Sequence, residues 1–178
     1  MLSRSGLILY YRDDPDLQDY VWLNPQAVIK HLYDFLGKRV IKNKHGRLRK
    51  KDLKGFDDEL LKLLEHEKVI FLHDPTGNNK DVEYIVPNFL PTASKDDIEY
   101  GFMKFGMNPD FTMKFEHFLP FGLINQMICF FGKQPDKKMF WRDRLLFTLK
   151  DMAKVITELD FDKMEITVYQ TPLPEQPG

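Results

Sequence analysis

Apolar residues in this chain change their period several times within 178 positions. A period of two marks a half-buried strand, and a period near 3.6 marks one face of a helix. "DFTMKFEHF" (110–118) alternates, with Phe111, Met113 and Phe115 on one side, and reads as a strand. "LPFGLINQMICFFG" (119–132) follows at once and sets Leu123, Ile124, Met127, Ile128 and Phe131 at helical spacing, with Gly132 as its stop. "MFWRDRLLFTLKDMAKVITEL" and "DKMEITVYQ" then return to strands: Leu145, Phe147 and Leu149 alternate, as do Met164, Ile166 and Val168. These segments predict an antiparallel sheet with a helix packed on one face.

The first half mixes periods too. "GLILYYRDD" (6–14) is β-favouring and is closed by "DPD". Tyr20 to Leu23 is a second short extended piece. Asn24 then stands where a helix N-cap is preferred, Pro25 at the first helical position, and Leu23 and Val28 at the places of a hydrophobic staple. Val28, Ile29, Leu32 and Leu36 form one apolar face, and Gly37 fits the left-handed stop. The basic stretch 37–56 reads as a loop with a helical turn near Arg49–Leu53. "DDELLKLLEHEK" (57–68) is an amphipathic helix with Leu60, Leu61 and Leu64 inward. "VIFLHDPTGNNKDVEYIVP" (69–87) is a hairpin around a Pro/Gly/Asn loop. A strand, two helices and a hairpin wing give the order of a winged-helix unit without its usual first helix. The expected architecture is therefore α+β: a winged-helix-like subdomain over 1–92, then a sheet-and-helix subdomain over 93–178.

No run approaches the 18 or so apolar residues of a membrane span, and the N-terminus lacks the core of a signal peptide. A single cysteine, Cys129, allows no internal disulfide and sits in an apolar helix, which suits a reducing, cytoplasmic setting. With a net charge of −1, nothing pulls the whole chain toward nucleic acid or anionic membrane.

Signatures of chemistry are missing. No phosphate-binding loop occurs, and "NKHG" (43–46) and "NNKD" (78–81) fall short of a guanine-reading motif. The five histidines lack metal-site spacing, and the acid pairs abut turns and helix starts. No cofactor, metal or catalytic residue is expected. The basic run, with Arg47, Arg49, Lys50 and Lys51, reads either as a solvated loop or as a patch for an acidic protein surface. Nucleic acid fits poorly, because helix 57–68 would enter the groove carrying five acids against two lysines. Trp141 and Arg142 read as a core aromatic beside a surface charge, or as an interface anchor.

Five stretches in order resemble the COR domain, the "C-terminal of Roc" module of Roco proteins: "SGLILYYRDDPDLQDYVWLNPQAVIKHLY" (5–33), "LLKLLEHEKVIF" (60–71), "YIVPNFLP" (84–91), "FLPFGLINQMICFF" (118–131) and "FWRDRLLF" (140–147). Ala27 stands where the family often has Trp, Gln126 where it often has Arg, and Arg144 or its neighbour where Gly is common. The resemblance implies a fragment cut at both ends, following a Ras-like GTPase domain, Roc, often behind leucine-rich repeats. It implies a first subdomain that packs on Roc and a second that forms homodimers, coupling nucleotide state to assembly. On this basis Tyr20, Val21 and Trp22 are expected to face the GTPase domain, and Trp141 and Arg142 to anchor an interface. The chain itself would hold neither the GTP site nor a kinase.

Overall fold

The computed structural model describes residues 8–24, 27, 30–31, 34–37, 45–74, 82–96, 106–119, 122–133, 139–149 and 153–171. The chain is α+β, with antiparallel sheets and few helices. The N-terminal segment forms a small hairpin: β1 (Ile8–Leu9) pairs with β2 (Trp22–Leu23). Helix α1 follows, described at residues 27, 30–31 and 34–37. Asn24 starts it as expected, its side-chain oxygen accepting the Ala27 N–H at 3.3 Å. Gly37 is not its left-handed stop but a helical residue. Val28, Ile29 and Leu32 lie outside the described residues, while Leu36 is buried.

The basic stretch is not only loop. Arg47–Leu48 forms β3 and pairs with β5 (Glu83–Ile85), which also pairs with β4 (Phe71–His73), so the three-stranded sheet has the order β3-β5-β4. Two residues suffice because Gly46 turns the chain in tightly before them. Its φ is +81°, and a Cβ there would lie 2.8–2.9 Å from backbone atoms of Val86, Phe89 and Leu90. A 3-10 turn over Lys50–Leu53 leads to α2 (Asp58–His66). Helix α2 buries Leu63 and Leu64 completely, with Leu60 and Leu61 only partly covered. Periodicity had missed Leu63.

The second sheet has five strands in the order β6-β10-β9-β8-β7: β6 (Asn108–Lys114), β7 (Met139–Phe140), β8 (Arg144–Leu149), β9 (Ala153–Asp160) and β10 (Glu165–Gln170). Helix α3 (Leu123–Gly132) packs on one face, with Ile124, Ile128 and Cys129 against Leu145, Phe147 and Val155, and with Phe131 stacked on Phe147 at 3.9 Å. One apolar cluster joins these residues to Phe71, Ile85 and Leu90, so the core runs across the point where the two halves meet in sequence. Gly132 sits at that crossing. A Cβ on it would meet the Phe71 ring at 2.4 Å, so only glycine lets ring and helix end touch. His73 lies beside them, with Nδ1 3.3 Å from the Gly132 carbonyl.

Candidate interaction surfaces

The β1–β2 hairpin lies over the outer face of α2. Spacings of three and four bring Glu59, Lys62 and His66 onto one side of that helix. Each meets the hairpin: Tyr20 donates its hydroxyl to Glu59 at 3.2 Å, Lys62 pairs with Asp16 at 3.2 Å, and His66 Nδ1 is 2.7 Å from Asp14. Tyr11 extends the row by donating to Glu67 at 2.7 Å, with its ring 4.4 Å from His66 and edge-on to Trp22. Leu17 is the only fully buried side chain among the described hairpin residues. A cleft of about 210 Å³ runs along this seam, where Glu65 and Lys133 also face it. Burial raises the Glu65 carboxyl above its ordinary range, with Lys133 working against that rise. The Asp16 amide, and then His66, hold the Asp14 carboxyl below it. Burial and then Glu67 push the Tyr11 hydroxyl up.

This arrangement sorts the residues expected to face a partner. Val21 is 54% exposed and Leu23 is 72% exposed, whereas Trp22 between them is half-buried against Tyr11 and Tyr20. Tyr20 is exposed, yet its hydroxyl is turned to α2. The outward apolar pair is thus Val21 and Leu23. By sequence spacing Leu23 is a staple residue, and the alternation along β2 is the signal that sets it outward beside Val21.

The basic residues split as well. Arg47 forms an ion pair with Glu83, and its guanidinium lies 4.9 Å from the centre of the Phe140 ring. Arg49, Lys50 and Lys51 are exposed. Trp141 is half-buried and Arg142 exposed, and the Arg142 backbone N–H donates to Pro91 O at 2.9 Å. Ala93 N–H donates to the Asp143 carboxylate at 2.9 Å, so the β7–β8 turn is tied to the segment after β5. Arg144 beside them is buried. Its Nη2 pairs with Glu158, while Nε and Nη1 have no hydrogen-bond partner among the described residues.

Edge strand β6 carries the alternation expected of it, but its inward-patterned side is not covered. Phe111 and Met113 are exposed, though they pair in register with Val168 and Ile166 on the core side. Only Phe115 reaches the core cluster. Cys129 is buried as expected, its thiol 3.3 Å from the Lys68 carbonyl, and burial pushes that thiol up to about 12.

Comparison with known families decides what these surfaces belong to. The family described as "C-terminal of Roc, COR-A domain" matches residues 1–90, half of the chain. The chain belongs to the COR-A family. No curated protein matches it. The COR-A segment covers the β1–β2 hairpin, α1, α2 and the β3-β5-β4 sheet. Membership makes the chain part of the C-terminal of Roc region of a Roco protein, and a COR-A domain is a non-catalytic companion of a Roc GTPase domain. Among the described residues, no helix is long and apolar enough to cross a membrane.

Proposed function

We propose that this chain relays the nucleotide state of its GTPase domain to assembly, touching Roc through the N-terminal half and a second copy through the C-terminal half. The observation that carries this reading is the β1–β2 hairpin of the COR-A segment. It turns Val21 and Leu23 outward while its other side is held by α2. An exposed apolar pair on a two-stranded ribbon, with the exposed acid Asp19 nearby in sequence, suits a protein surface. The COR-A part, 1–92 on this reading, is winged-helix-like, with β3 next to β5 and the hairpin β4–β5 as the wing.

The part from 93 to 178 is the COR-B subdomain on this reading, with Trp141 and Arg142 at a homodimer contact and Arg49, Lys50 and Lys51 free for other partners. The setting is the cytoplasm. Titration calorimetry of the chain with the Roc domain of its parent tests the first contact. Val21→Glu with Leu23→Glu weakens binding about tenfold or more if the ribbon is the interface. Unchanged affinity with a folded double variant sinks it. Sedimentation of Trp141→Ala with Arg142→Ala in the full-length protein tests the second contact: a dimer that persists at the same concentration removes those residues from it.

A further inference from the structure

A second concavity lies at the start of α2, away from the hairpin. It is a cleft of about 320 Å³, a size at the lower end of ligand sites. Its apolar surfaces come from Leu53, Phe56 and Leu61. Leu53 is buried, and Phe56 and Leu61 are partly so, which leaves the apolar part recessed. Lys50, Lys51 and Lys54 are exposed around it, against one acid, Asp58. None of the three lysines enters an ion pair among the described residues.

The rim is held in place. Arg49 N–H donates to the Asp52 carboxylate at 2.8 Å, and Phe56 N–H to the Leu53 carbonyl at 2.9 Å. The Phe56 ring rests on Phe35, 4.5 Å between centres. A rim already ordered costs little further entropy when something binds.

We infer that this cleft docks an acidic peptide segment of a partner protein, seating one apolar side chain on Leu53, Phe56 and Leu61 while its carboxylates meet Lys50, Lys51 and Lys54. The recess selects the class of partner. A lipid surface is entered by protruding apolar side chains, and here the apolar groups are sunk below charged ones. Nucleic acid on a basic track needs ring faces for its bases or many cations in a row, and the one ring in the cleft is packed on Phe35. A peptide can insert a side chain and hold its charges beside it. This site is separate from the proposed Roc contact and stands whether or not that contact does.

The test is fluorescence anisotropy with the whole chain at physiological salt. The probe is a labelled peptide of about a dozen residues, all Asp and Glu except for a central Leu-Phe pair. Saturable binding is expected, weakened about tenfold or more in the Lys50→Glu, Lys51→Glu, Lys54→Glu variant. Those side chains are exposed, and an unchanged thermal unfolding curve verifies that the variant is folded. Replacing Leu-Phe in the probe by Gly-Ser costs a further several-fold. Equal binding of the two peptides overturns the inference, since charge alone would then explain it. So does wild-type affinity in the triple variant. Tighter binding of a single-stranded oligonucleotide, or of vesicles containing phosphatidylserine, overturns it in favour of those partners.

Discussion

Helix α3 and the β1–β2 hairpin both lean on the unit formed by α2, β4 and β5, but by different physics. Helix α3 is held by buried apolar side chains and by a glycine that admits a ring. The hairpin is held by Leu17, two tyrosine hydroxyls, the Lys62–Asp16 ion pair and the His66–Asp14 hydrogen bond along an open seam. Apolar burial is not weakened by charge screening and resists local opening, whereas exposed ion pairs are screened and worth little each. The hairpin is therefore the part of the COR-A segment that can yield without loss of the core. That is a useful property for a surface proposed to face a switching domain.

Five experiments set the two attachments against each other. Ile128→Ala removes a fully buried side chain from the α3 contact and is expected to cost about 2–5 kcal/mol in urea unfolding. A cost near zero would mean that α3 is not part of the cooperative core. Gly132→Ala drives a methyl into the Phe71 ring and is expected to cost about 1–3 kcal/mol. Shortening the ring in a Phe71→Leu, Gly132→Ala double variant should return part of that loss, and simple additivity would argue against the contact.

Tyr11→Phe deletes the hydrogen bond to Glu67 and is expected to cost about 0.5–1.5 kcal/mol. Most of this should appear as faster amide exchange in β1 and β2, with α3 unchanged. Equal acceleration in both regions would show that the hairpin does not open on its own.

The smallest effect is the response to acid and salt. Asp14 has a depressed pKa in the folded chain, chiefly from the Asp16 amide and then from His66. Its contribution is present above the unfolded carboxylate range and is lost as pH falls through the folded value. Acid, or salt high enough to shrink screening to roughly 3 Å, should speed exchange in the hairpin before α3. Cys129 works in the other direction: its raised pKa favours the fold below the ordinary thiol value of 9.0, and that contribution fades as pH climbs toward about 12. Alkylation of Cys129 at mildly alkaline pH should therefore be slow and limited by opening of α3. Fast labelling of the folded chain would break the contrast between the two regions.

Local signals made much of this fold legible. Alternation gave β6, β8 and β10, helical spacing gave α2 and α3, and Asn24 marked the start of α1, because each depends on neighbours a few residues away. The failures were non-local. Strand β3 is two residues long and set among cations, so no period announces it. It exists because Gly46 lets the chain approach Val86 and Leu90 closely enough for Arg47 and Leu48 to pair with β5. The same limit applies to the candidate surfaces. The sequence singled out Tyr20, Val21 and Trp22 together; the docking of the hairpin on α2 half-buries Trp22, while the alternation along β2 sets Leu23 outward with Val21.

By itself, then, the sequence determined most of the elements, the α+β class and the resemblance to the COR domain, since periods, caps and ordered motifs are written along the chain. Tertiary structure alone decided which apolar residues are covered. Phe111 in β6 and Phe115 just past its end carry the same alternation, yet Phe115 packs against the core and Phe111 remains exposed. Alternation fixes which way a side chain faces, but burial depends on whether another part of the chain arrives to cover it.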